Sequence, residues 1–345
     1  MWSVIGVSLC VTTSRTVLGR AKILFTSTLD LPFIVDDVQL LSRHHDVDRL
    51  TARGWRVPFT IFLHLLPVDL SYTWFASTYA FWAVLFGRWL GKSSIIVVGG
   101  VDAAKRKDLG YGIWLNPWKA VLVRYAIRHA SRVLVVAPVL KVQLTHLCRY
   151  GGENIVWVPM GFDVTQWVPA DSTQPRVLTV AACADASRVR VKGIDFLVRC
   201  AQKLPEVPFT VIGTTKETAL GAGLPDAENV RYVPPLPRSE LANHYRTSRV
   251  YFLPSASEGM PNSLCEAMLC GCIPVATEVG AVPEILGETG FRVRHGDTEG
   301  AVRALRGALD APASAADAAR QRILDDFLTA RRERELLTIV AEVLG

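Results

Sequence analysis

Short runs of β-branched and aromatic residues alternate with stretches whose apolar positions recur at helical spacing, from about residue 22 to the end of the chain. That alternation predicts parallel sheets wound with helices on both faces. In the first half the predicted strands are Ile23–Thr26, Val68–Phe75, Ile95–Gly99, Val133–Val136 and Ile155–Val158. The second half supplies Val177–Ala181, Phe209–Gly213, Val230–Val233, Val250–Pro254, Ile273–Ala276 and Phe291–Val293. Between the halves, Pro159-Met-Gly-Phe-Asp163 and Pro169-Ala-Asp-Ser-Thr-Gln-Pro175 cluster turn formers between two apolar runs. The expected organisation is therefore two Rossmann-like α/β domains, 21–163 and 164–314, followed by an amphipathic helix over 315–345. That helix reads from Ala315 to Leu344, with Ile323, Leu324, Phe327, Leu336, Leu337 and Val340 apolar on a charged background.

Two segments test this reading. Met1 to Val11 is apolar but lacks a basic start, and no cleavage site precedes the first strand, so residues 1–20 are read as an extension. Leu70 to Leu90 is long enough to span a bilayer and is charged only at Arg88. Its first part has strand character, and Trp82, Leu85, Phe86 and Trp89 then recur at helical spacing, which predicts a strand plus a core helix instead.

Composition narrows the class. Half of the 345 residues are hydrophobic and 20% are charged, which fits a folded α/β protein and excludes a disordered one. The net charge of +6 suits anionic partners such as nucleotide diphosphates or phospholipid surfaces. No Lys/Arg-rich tract or RNA-binding signature is present, so nucleic acid is not an expected partner. Seven cysteines, an odd number scattered along the chain, point to reduced thiols in a cytoplasmic enzyme. Cys265, Cys270 and Cys272 lie close together, but their neighbours are apolar and no histidine completes a ligand set.

The densest chemistry lies between Ser255 and Thr277. A buried strand runs into Ser255-Ala-Ser-Glu-Gly-Met-Pro-Asn-Ser-Leu-Cys-Glu266, a turn that opens a helix and sets Glu258 and Glu266 around a glycine. Free amides at such a turn, with the helix dipole behind them, make a place for a phosphate. Ser263-Leu-Cys-Glu266 is also an S-x-x-E capping box, in which the glutamate would only return a hydrogen bond to the helix start. Upstream, Arg188-Val-Arg-Val-Lys-Gly-Ile-Asp195 is a basic loop between a strand and an apolar helix. It is either a solvated charged loop or a cationic support for charge on a departing phosphate.

The paired glutamates, the Gly-Met-Pro-Asn-Ser turn, Glu-Ala-Met and the following Gly-Cys-Ile-Pro-Val-Ala-Thr closely resemble the E-x7-E region of the retaining, nucleotide-sugar-dependent glycosyltransferases, group 1, with the GT-B fold. Pro159-Met-Gly-Phe-Asp163 resembles the Pro-Asn-Gly-Val-Asp element at that family's domain crossover. The resemblance implies two Rossmann-like domains facing a cleft, with the last helix crossing back to the first. It implies a hexosyl transferase of glycan biosynthesis that retains anomeric configuration. By the same resemblance Glu258 touches the donor sugar, Glu266 holds the ribose hydroxyls, and Lys192 of the Lys192-Gly193 element reaches the diphosphate. Gly259, Met260, Pro261, Asn262, Ser263 and Leu264 would contact the donor. The family's Gly-Arg pair is replaced by Ala181-Ala182, leaving Arg190 or Arg188 to supply a second cation. No Asp-x-Asp clamp adjoins the site, so neither a metal nor another cofactor is expected beside the nucleotide-sugar substrate.

The acceptor side is less legible. Ile96-Val-Val-Gly-Gly-Val-Asp102 ends a strand, and the family's histidine near this point is absent. Gly100 and Asp102 are candidates there, Asp102 either for hydroxyl binding or as a turn aspartate. Ser27-Thr-Leu-Asp-Leu-Pro-Phe-Ile-Val-Asp-Asp37 replaces the family's glycine-rich first loop and offers Phe33 and Asp36. Expected partners are a nucleotide sugar and a glycan, lipid-linked or small-molecule acceptor, with peripheral contact to anionic membrane at the inner face. Two other classes share these features: a GT-B-shaped sugar-nucleotide epimerase, and a catalytically silent nucleotide-sugar-binding partner of another transferase.

Overall fold

In a computed structural model that describes residues 19–345, the alternating pattern folds into two parallel six-stranded sheets. The extension expected at residues 1–20 falls almost wholly outside the described residues. The first domain runs β1 (Lys22–Ser27), α1 (Pro32–Ser42), β2 (Asp46–Thr51), α2 (Val57–Leu65), β3 (Leu70–Trp74) and α3 (Thr78–Trp89). It continues through β4 (Ser93–Val98), α4 (Pro117–His129), β5 (Arg132–Val135), α5 (Pro138–Cys148) and β6 (Ile155–Trp157). The second opens with β7 (Gln174–Val180), α6 (Ala186–Val191), α7 (Ile194–Gln202), β8 (Phe209–Ile212), α8 (Lys216–Gly221) and β9 (Val230–Val233). After these come α9 (Arg238–Arg246), β10 (Ser248–Leu253), α10 (Asn262–Leu269), β11 (Ile273–Thr277), α11 (Val282–Leu286), β12 (Phe291–Val293) and α12 (Thr298–Asp310). Two helices, α13 (Ala313–Asp326) and α14 (Thr329–Leu344), close the chain.

Strand orders are β2-β1-β3-β4-β5-β6 and β12-β11-β10-β7-β8-β9, every pairing parallel. In each sheet the order reverses beside the domain's first strand, which opens a crevice at the carboxyl ends of the strands. Central strands such as β3 and β4 are buried on both faces, so their apolar runs are continuous. Residues 70–90 form the expected strand and helix, although Trp89 faces solvent. Among the described residues no helix is long and apolar enough to cross a membrane.

Two elements depart from the sequence expectation. β2, Asp-Val-Asp-Arg-Leu-Thr, is a mostly exposed edge strand whose polar sequence carries no alternation; pairing with β1, Lys22 opposite Asp46, holds it extended. The single closing helix is in fact broken at Phe327 and Leu328. No proline or glycine marks the break. Phe162 N–H donates to the Phe327 carbonyl at 2.9 Å and Thr329 N–H to the Phe162 carbonyl at 3.2 Å, so the chain's two crossovers pair with each other. Gly161 permits this approach, since a Cβ there would lie 2.7 Å from Thr329 Cα.

The break lets α13 pack on α10 and α11 of the second domain while α14 returns to α1 and β4 of the first. One buried ion pair fixes that return. Arg332 on α14 donates from Nε and Nη2 to the two Asp37 oxygens, each at 2.6 Å, and from Nη1 to the Pro159 carbonyl at 2.8 Å. Asp37 also accepts from Tyr72 Oη at 2.9 Å and Trp74 Nε1 at 2.8 Å. Both side chains are almost fully excluded from solvent, yet every charged face has a partner, which is the condition for a buried pair to be tolerated. Replacing Arg332 by Met strands the Asp37 charge and should lower unfolding free energy by about 3–5 kcal/mol in urea titrations. The double variant with Asp37→Leu should recover a large part of that loss. A single variant as stable as the parent would show that the pair does not hold α14.

Candidate active site

A cleft of about 870 Å³ lies between the carboxyl edges of the two sheets. From the second domain, Lys192, Arg188, Glu258, the turn from Gly259 to Ser263 and Glu266 line it; the first domain contributes Phe33, Gly99 and Asp102. Lys192 ends α6, and Gly193 turns the chain with a positive φ of 65° so that its Cα sits against the Pro254 carbonyl. The lysine Nζ thereby stands 2.7 Å from Glu258 Oε1, which also accepts from Ser255 Oγ at 2.6 Å. Both partners are largely buried, so the pair is little screened by solvent.

Glu266 does not cap its helix: α10 has no side-chain cap, and Tyr251 donates to Ser263 Oγ at 2.7 Å. Instead Glu266 accepts from Tyr245 Oη at 3.2 Å and lies 3.5 Å from Arg238 Nη2. Burial raises its pKa, and Arg238 with the Tyr245 hydrogen bond offsets part of the rise. Among the described residues the amides of Gly259, Met260, Asn262 and Ser263 find no acceptor in the protein, nor does Asn262 Oδ1 find a donor. A helix start with free amides beside a lysine and two carboxylates can hold an anion and a diol together.

The structure separates the remaining candidates. Arg188, not Arg190, reaches the cleft, its guanidinium 5.5 Å from the centre of the Tyr111 ring across the domain boundary. Arg190 points into solvent from the far side of α6 and lines no part of the cleft. Leu264 is buried in the core and its amide is taken by the Pro261 carbonyl. Gly100 is turned toward Gly259: a Cβ on Gly259 would lie 1.8 Å from the Gly99 carbonyl, so the two domains meet through bare backbone. Asp36 is not exposed to the cleft but accepts both oxygens' worth of hydrogen bonds from Arg238 Nη1, at 3.2 and 3.0 Å. Phe33 lines the cleft and packs on Trp74, ring centres 5.0 Å apart.

Asp102 lines the cleft and also braces its own turn. Its Oδ1 accepts from the amides of Gly99 at 3.1 Å and Gly100 at 2.9 Å, and its Oδ2 from Ala76 at 2.9 Å, so three of its acceptor positions shape the loop. Arg238 is the residue that sequence reading missed. It bridges Glu266 of the second domain and Asp36 of the first, and its guanidinium lies 5.8 Å from the Trp167 ring centre. A cation as the first residue of a helix opposes the helix dipole, and that local misfit was the available signal. Six described cysteines are buried and free, and no described cluster of His, Cys, Asp or Glu could hold a metal ion.

Residues 174–311, essentially the second domain, match the family described as Glycosyl transferases group 1. The match covers 138 of the 345 residues. A D-inositol 3-phosphate glycosyltransferase of Mycobacterium sp. (strain JLS) is 30% identical over 182 residues, 48% of this chain and 42% of the relative. The match thus spans less than half the length of that relative. Two solved structures share the architecture over 94% of this chain: sucrose-phosphate synthase from Thermosynechococcus elongatus, TM-score 0.74, 16% identical and covered over 99%, and Anabaena HepE in complex with UDP and glucose, TM-score 0.72, 15% identical and covered over 100%. With its two facing six-stranded domains, the chain has the GT-B fold.

Burial pushes the Asp102 carboxyl up to about 6, against the pull of its backbone hydrogen bonds. Since the folded value exceeds that of the unfolded chain, protonation favours folding, and the penalty of the charge is complete above pH 6 and relieved as pH falls toward 4. Asn at this position carries no such penalty. The destabilisation caused by Asp102→Asn, read from urea midpoints, should therefore grow by about 1 kcal/mol between pH 7.5 and pH 5. A pH-independent difference would contradict the raised carboxyl.

Proposed function

We propose that the protein is a retaining glycosyltransferase that moves a hexosyl group from a nucleoside-diphosphate sugar to a hydroxyl acceptor. The observation that carries this reading is the convergence of Lys192, Glu258 and Glu266 beside the free amides of the 259–263 turn, on one wall of the interdomain cleft. Glu258 receives the sugar hydroxyls and Lys192 the diphosphate, two adjacent groups of one molecule matched by two side chains 2.7 Å apart. Glu266 takes the ribose diol, with the Arg238 guanidinium 3.5 Å from its buried carboxylate. Arg188 stands where it adds a second positive charge as the phosphate departs.

With Asp102 committed to backbone amides, the first domain's wall offers no described carboxylate placed as a nucleophile. The acceptor hydroxyl then attacks from the leaving-group face, and the departing phosphate takes its proton. Both substrates must share a dehydrated cleft, consistent with domains that touch through Gly99, Gly100 and Gly259. The paired groups favour transfer over an epimerase, which needs an acid and a base on opposite sides of the sugar.

In an assay of nucleoside-diphosphate release with a panel of sugar nucleotides and acceptors, Lys192→Ala should lower turnover by roughly 10²-fold or more while the unfolding midpoint is preserved. Near-parental turnover in a folded variant would remove the lysine from the mechanism, and no turnover by the parent with any donor would favour the silent-partner reading. Independently, NMR of the first-formed product should show the donor's anomeric configuration. Inversion there would refute the same-face mechanism.

A further inference from the structure

The outer helix layer of the first domain has an unusual surface. α2 packs on α3, and α3 on α4, so that these helices form one continuous sheet of side chains. Seven of the twelve large apolar residues exposed on the described surface belong to this layer, which concentrates rather than scatters them. Trp55 is 84% exposed, Trp89 70%, Phe59 65% and Trp118 57%. Leu63 and Leu66 extend the ridge along α2. The half-buried rings of Phe62 and Phe86 join them beneath, 5.4 Å apart, and Phe86 meets Trp89 at 5.5 Å.

Charge sets the kind of partner. From residue 53 to residue 149 there are thirteen Lys or Arg and three Asp or Glu, a formal +10 in a chain whose total is +6. Of the three acids, Asp102 is buried and Asp108 is paired with Arg106 at 2.6 Å. Cations accompany the exposed rings directly: the Arg56 guanidinium lies 5.0 Å from the Trp55 ring centre, and Lys119 Nζ lies 5.6 Å from that of Trp118. Tryptophan with basic side chains beside an aliphatic ridge is the composition that settles at a bilayer interface. A second copy of the chain would bring two strongly positive faces together, which charge disfavours.

We propose that the α2–α4 face docks on an anionic lipid bilayer. The docked face is continuous with the cleft: Arg53 Nε and Nη2 donate to the Thr28 carbonyl at 3.0 and 2.8 Å, and Thr28 and Leu29 line the cleft rim. The loop that carries Trp55 is thereby pinned to the mouth of the site. Resting on the sugar-transfer reading, this assigns the acceptor to a class, a hydroxyl presented by a membrane-held molecule.

Co-sedimentation of the full chain with phosphatidylcholine vesicles, with and without phosphatidylglycerol, tests the proposal. Binding should require phosphatidylglycerol and weaken as salt rises. The triple variant Trp55→Ser, Phe59→Ser, Trp118→Ser should lower the partition by about tenfold or more, with an unchanged circular dichroism spectrum and unchanged donor turnover on a water-soluble acceptor. Absence of lipid-dependent binding, binding by the triple variant equal to the parent's, or a dimer that the variant disperses would each overturn it. Vesicle binding by a parent that turns over no donor would leave the docking surface standing and defeat the sugar-transfer reading.

Discussion

The buried Arg332–Asp37 pair is the contact on which the two-domain arrangement depends. An isolated charge at that depth would cost several kcal/mol, so the pair exists only because α14, α1, β3 and the crossover carbonyl at Pro159 all supply partners. Each of those elements is consequently held to the others. The first domain thus includes the end of the chain, and the crossover at Phe162 is paired with the one at Leu328. The chain passes between the domains at these two paired crossovers.

At the cleft the domains approach through glycine backbone on one side and through Arg238 on the other. The Gly99, Gly100 and Gly259 contact has no side chain to adjust, so it defines closure sterically. Arg238 defines it electrostatically, because its guanidinium serves Asp36 and Glu266 at once. The carboxylate proposed to hold the ribose is therefore linked to the first domain through a single cation. Asp36 of the first domain and Glu266 of the second thus share one guanidinium.

The two domains differ in surface chemistry. The second domain carries Glu258, Glu266 and Lys192 on its cleft wall, while the first carries the aromatic and basic exterior and a cleft wall of mostly apolar and backbone character. Such a division suits a donor of fixed chemistry and an acceptor recognised by location as much as by shape.

The sequence by itself determined the alternating elements, two wound domains, and the local motifs from Lys192 to Gly193 and from Glu258 to Glu266, because strand burial and loop chemistry are written in contiguous residues. Tertiary structure alone decided what depends on distant neighbours. β2 is a strand because β1 holds it there, and the last helix breaks because Phe162 needs the Phe327 carbonyl. Arg188 rather than Arg190 reaches the cleft because α6 is helical, which turns residues two apart to different sides. Asp36, Asp37 and Asp102 look alike along the chain, yet one meets Arg238, one Arg332, and one three backbone amides. A carboxylate's role is set by the donors that folding brings to it, and those donors lie up to 295 residues away.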